Sequence, residues 1–173
     1  MNPIFNTAFY CCGIRMVGHK AMKNSILCLF LLLVVGCNTD IVVHDEIRAA
    51  ELIVDFLSGI KSDKGKQLSY EWTDDKFKEE VSPREFSSIV ASIRNKNQGA
   101  DIRLIGYEVF GAVETIIVYA ISDVGEQRMY FRFILVGTRS KDYYLLKLDV
   151  NDSEYPKKGA YSEYDRSILV QGV

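Results

Sequence analysis

After residue 37 the chain has no cysteine, and after residue 44 it has no histidine. The four cysteines, Cys11, Cys12, Cys28 and Cys37, all fall in the first quarter, so nothing downstream can close an intradomain disulfide. With only His44 beyond that point, no Cys/His zinc cluster can be assembled there. Proline occurs three times and tryptophan once. No apolar run approaches the roughly 20 residues that a membrane-spanning helix needs. An excess of positive charge is missing too. The first 36 residues hold three cations (Arg15, Lys20, Lys23) and no acid, which leaves 18 Lys and Arg against 23 Asp and Glu, a net of −5, from residue 37 onward. A nucleic-acid ligand is therefore not expected, because such binding draws on clustered Lys and Arg. Whatever folds after residue 37 must be held by its apolar core alone. A composition that is 48% hydrophobic and 25% charged is that of a folded globular chain.

What is present begins with a leader. Met22, Lys23, Asn24 and Ser25 are followed by the apolar run ILCLFLLLVV over 26–35, then Gly36 and Cys37. A basic start, a short apolar centre and a small residue before the cut describe a secretory signal. Val34-Val35-Gly36-Cys37 resembles the bacterial lipobox. That resemblance implies cleavage before Cys37, a diacylglycerol on its thiol and acylation of the new N-terminus, giving a stable membrane tether. The competing reading is an ordinary signal or buried helix that contains Cys37 by chance. The polar Asn38-Thr39-Asp40 directly after the cysteine favours the lipobox. Residues 1–21 then read as an upstream extension from a misplaced start, 22–36 as the signal peptide and 37–44 as a lipidated tether. With Asn38 after the cysteine, the expected address is the outer membrane, facing the periplasm.

The remainder reads as α+β. Ile47, Ala50, Ile53, Val54, Leu57 and Ile60 recur at spacings of three and four, which predicts a helix over 45–60. Residues 67–81 show no clean period, although Leu68, Trp72 and Phe77 offer apolar anchors. Ser82-Pro83-Arg84-Glu85 is a capping-box sequence, with Phe86, Ile89, Val90 and Ile93 behind it and Gly99 as a stop. From Asp101 the period changes to two. Strands are expected over 102–110, 114–122, 127–137 and 143–150, joined by short turns and therefore antiparallel. The second is apolar on both faces, as a central strand is. In the third, Met129, Phe131, Phe133 and Leu135 face the helices. The tail 151–173 either adds an edge strand at 167–170 or stays free.

Helices followed by a curved antiparallel meander resemble the nuclear transport factor two superfamily, a cystatin-like α+β cone. The local likeness lies in Tyr70-Glu71-Trp72-Thr73, in Phe77 to Ser82 and in Phe86 through Arg94 to Gly99, which are similar to small exported lipoproteins of that type. The resemblance implies N-terminal helices packed on a curved sheet of four or more strands over 45–150. It also implies a pocket at the wide end and, in many relatives, sheet-to-sheet homodimers. Such pockets serve as binding sites, enzyme sites or filled cores, so the fold does not fix a function.

Chemistry-bearing motifs are sparse. No phosphate loop, nucleophile elbow or cofactor motif is present; Gly106 and Gly111 are isolated. His44 lies beside the tether with no ligand or triad partner within reach of sequence logic. Asp55, Asp74 and Asp75 are the carboxylates that an isomerase- or dehydratase-like enzyme would use, against the plainer reading of solvated charge. Trp72, Tyr107, Tyr119 and Tyr130 are candidates to line an apolar pocket, or else to pack the core. Arg103 and Arg132 are candidates to hold a carboxylate or phosphate, or else to form a solvated or dimer-forming face. With no catalytic or metal-ligating set in view, the expectation is a noncatalytic module. It would take a small apolar ligand or an envelope protein, and be anchored through Cys37.

Overall fold

The computed structural model describes residues 42–111 and 113–173. The leader and Cys37 lie outside the described residues. The domain is α+β: helices come first and pack on one face of a wholly antiparallel sheet. Among the described residues no helix is long and apolar enough to cross a membrane.

Helix α1, Glu46–Gly59, starts where the Asp45 side chain accepts the Arg48 N–H at 3.1 Å. Ala49, Ala50, Ile53, Phe56 and Leu57 form its buried stripe. Ile47, expected in that stripe, is 53% exposed. Residues 67–81, without a clear period, form parts of two short helices. Helix α2, Asp63–Glu71, is capped by Ser62, and α3, Asp75–Glu80, by Asp74. Leu68, an expected anchor, lies exposed, whereas Phe77 is buried. Between these helices the chain bridges to the sheet: Leu145 donates its N–H to the Trp72 carbonyl at 2.9 Å, and Asp74 donates to the Leu145 carbonyl at 2.8 Å. Helix α4, Pro83–Asn97, carries the complete capping box between Ser82 and Glu85. It ends at Gln98 in the left-handed region (φ 51°), followed by Gly99 (φ 76°).

The strands are β1 Ile102–Val109, β2 Thr115–Val124, β3 Gln127–Thr138, β4 Lys141–Asn151 and β5 Ala160–Val170. Their order is β4-β3-β2-β1-β5, so β2 is central, as its two apolar faces require. The tail is a full strand, longer than the edge segment expected at 167–170, and it pairs with β1. Met129, Phe131, Phe133 and Leu135 do face the helices and are buried. They close the interior together with Phe56, Phe86, Ile53, Leu57, Ile116 and Leu145. Phe56 meets both Phe86 and Phe133 edge-on, at 6.1 and 6.4 Å between centroids.

Two departures from a regular sheet shape its outer face. The β1–β2 register shifts between Leu104 and Gly106, so Ile105 is an extra residue that turns Glu108 to the face away from the helices. Opposite it, β5 passes from Glu163, paired with Gly106, to Ile168, paired with Leu104, and residues 164–167 bulge. In addition, β4 and β5 occupy opposite edges, so their connection, 152–159, must cross the sheet. It does so over the outer face, as its contacts there show.

Candidate functional site

The pairing register sorts the six residues named from sequence. Gly106, Tyr119, Arg132 and Asp149 form one row on the outer face, and Arg103, Ile121 and Tyr130 the next. Tyr119, Tyr130, Arg103 and Arg132 therefore share a face. Tyr107, paired with Val118, points to the helix side, and Trp72 ends α2 beside β4. Of the four aromatics offered as pocket lining or core packing, Trp72 and Tyr107 pack against the core of phenylalanine, isoleucine and leucine, while Tyr119 and Tyr130 lie on the outer face. Arg103 is exposed, while Arg132 is half-buried and held by Asp149, with Nη2 to Oδ2 at 2.6 Å.

The outer face instead centres on a residue that the sequence reading passed over. Glu108 is 1% exposed. Its Oε2 accepts the Tyr119 hydroxyl at 2.5 Å, and its Oε1 accepts the backbone N–H groups of Lys158 and Gly159. Lys157, ion-paired with Glu154, stands 4.8 Å from the Tyr161 ring centroid and 5.7 Å from that of Tyr119. Burial pushes the Glu108 carboxyl upward, but the bonds from Tyr119, Gly159 and Lys158, with the Lys157 charge, outweigh it. The carboxyl is held below its ordinary range. The same contact and its own burial push the Tyr119 hydroxyl far up, so it donates rather than ionises. The available signal was Gly106, since an isolated glycine in a strand marks a bulge or a close approach. Here a Cβ would lie 2.5 Å from the Ser162 carbonyl oxygen and from the Tyr161 hydroxyl.

A groove lies between the start of α1 and the β5 bulge, enclosing about 420 Å³. Ile47, Tyr107, Tyr164 and Ile168 give it apolar walls, and Glu46 and Asp165 stand among its charged residues. The Tyr107 and Tyr164 rings are 5.4 Å apart and tilted by 45°. Burial pushes the Tyr164 hydroxyl well above its usual range, keeping that wall neutral. This concavity accounts for the exposed Ile47, whose side chain has left the α1 stripe to face the groove.

The remaining candidates are dispersed. Asp55 and Asp75 are exposed, and Asp74 caps α3 through the Lys76 N–H at 2.9 Å. The His44 Nε2 lies 3.0 Å from the Val113 carbonyl and its Nδ1 3.4 Å from the Tyr143 hydroxyl, with no carboxylate partner among the described residues. Among the described residues no group of three or more His, Cys, Asp or Glu is placed to hold a metal ion. Among the described residues Glu108 is the one carboxylate this deeply buried, and its own chain supplies three donors to it. Comparison with protein-family models, with curated proteins and with solved structures finds no match.

Proposed function

We propose that the chain is an envelope lipoprotein, tethered by lipid on Cys37 at the outer membrane facing the periplasm. Its α+β domain is a noncatalytic binding module. The order of helices and antiparallel strands supports the cystatin-like, nuclear transport factor two-like reading, and the leader supports the address. The observation that carries the binding role is the groove of Ile47, Tyr107, Tyr164 and Ile168. It is a concavity of small-ligand size with aromatic and aliphatic walls, beside an interior that is already full. Glu46, Glu163 and Asp165 outnumber Arg166 among its lining residues and disfavour anions, while the apolar walls favour an uncharged apolar molecule or an apolar side chain of an envelope protein.

The phenylalanine, isoleucine and leucine packed between helices and sheet support the binding module over the isomerase- or dehydratase-like alternative. A neutral fluorescent probe such as N-phenyl-1-naphthylamine tests the groove. Binding should saturate, and both Ile47→Asp and Tyr164→Ala should weaken it by about tenfold, the effect of losing one buried apolar contact. Equal binding by the parent and both variants would refute the assignment. A homodimer through the sheet would have to use the end of the outer face that carries the exposed Tyr144 on β4, because the 152–159 connection crosses the row of Arg132 and Tyr119.

A further inference from the structure

The β4–β5 connection has no helix or strand of its own across 152–159, yet it is fastened along its length. The Tyr155 ring lies 4.6 Å from the Arg132 guanidinium carbon, Lys157 sits over Tyr161, and Lys158 and Gly159 give their N–H groups to Glu108. These fastenings differ in kind. The cation–π contacts involve side chains that can turn back to water. The Glu108 carboxylate cannot: it is buried on a sheet strand and stays charged only because donors surround it. Of its three donors, two belong to the crossing segment and one to β2. The charge and the segment therefore depend on each other.

We propose that residues 152–159 are a charge-latched strap. It is closed over the outer face while Glu108 is ionised, and it lifts as a unit when that charge is neutralised. The sheet and helices stay folded, and Tyr119 and Arg132 become an accessible contact surface. Glu163, Tyr164 and Arg166 line both the groove and the pocket beside the strap, but the strap is tested at Glu108 and Tyr119, which line neither, so its failure and that of the ligand reading are distinguishable.

The charged and titratable groups around the latch come from four strands and the strap. They are Tyr119 on β2, Arg132 on β3 neutralised by Asp149 on β4, Tyr161 on β5, and Lys157 paired with Glu154 in the strap. Burial raises the Glu108 pKa, and the bonds from Tyr119, Gly159 and Lys158, with Lys157, lower it further than burial raises it. The folded value is thus depressed. The latch is present above the ordinary carboxylate range and is lost as pH falls through the folded value. Lys157, Tyr119 and Tyr161, all pushed upward, keep their protons through that interval.

Hydrogen exchange on the full mature chain, corrected for intrinsic rates, reads the strap residue by residue. At neutral pH the Lys158 and Gly159 amides should be protected in the parent. Glu108→Gln keeps the shape and one carbonyl acceptor but removes the charge. It should cut the protection of those two amides by about tenfold or more, while β2 and β3 amides keep theirs. Lowering the pH of the parent below the carboxylate range should reproduce the pattern. Tyr119→Phe removes one donor to the anion, so strap protection should be lost at a higher pH than in the parent. This variant serves if Glu108→Gln does not fold. Unchanged strap protection in Glu108→Gln, simultaneous loss from strap and sheet, or an unmoved pH midpoint in Tyr119→Phe would each overturn the latch.

Discussion

Gly106 is the residue on which the outer face turns. A side chain there would strike the Ser162 carbonyl and the Tyr161 ring, both on the paired β5 strand. Backbone cannot yield as the end of a flexible side chain can, so Gly106→Ala should destabilise by about 1–3 kcal/mol through overpacking. Urea unfolding followed by circular dichroism would measure it, and an unchanged midpoint would show that β5 stands farther from β1 than described. The same glycine shows where reading residues one at a time stops. Ile102, Leu104, Gly106 and Glu108 alternate cleanly and would put Glu108 toward the helices. The extra residue at Ile105 reverses the last part of that pattern. No composition or spacing rule reveals which residue of a strand will be left unpaired.

At the scale of elements, what is local was legible. The capping box at Ser82 and Glu85 is complete: the Ser82 side chain accepts the Glu85 N–H at 3.3 Å, and the Glu85 carboxylate accepts the Ser82 N–H at 2.9 Å. Ser82→Ala should cost about 1 kcal/mol. A melting temperature equal to the parent's would mean that α4 does not depend on this start. The first four strands were legible because each is rich in β-branched or aromatic residues, the second apolar on both faces, and short turns join neighbours. Residues 67–81 were not, since α2 and α3 run for nine and six residues, too short for a stripe to declare itself. Their caps, Ser62 and Asp74, were the better guide. The fifth strand was only partly visible. Its bulge breaks the alternation, and its partner, β1, lies more than fifty residues back across a connection that crosses the sheet, as in Glu108 to Gly159. Pairing over that distance is decided by the edge β1 leaves open, which no local pattern reports. Of the candidate site, the tyrosines and the two arginines were legible only as separate sets, whereas Tyr119, Tyr130, Arg103 and Arg132 share the outer face and the carboxylate that Tyr119 contacts was missed. The groove was missed because Ile47 fits a core stripe as well as an exposed wall.

At the scale of the whole molecule, the α+β domain begins a few residues after the proposed lipid site at Cys37. Among the described residues a layer of phenylalanine, isoleucine and leucine lies between helices and sheet. Such a domain should fold without its anchor. Cys37→Ser should therefore yield folded protein that partitions to the soluble fraction of the periplasm, while the parent stays with the membranes; equal partitioning of both would speak against a tether. The measurement that bears most directly on the central claim is intact-mass and peptide mass spectrometry of the chain recovered from cells. The account predicts a mature N-terminus at Cys37 carrying a diacylglycerol on sulfur and an acyl chain on nitrogen. A chain that still begins at Met1 or Met22, with a free thiol at Cys37, would contradict it.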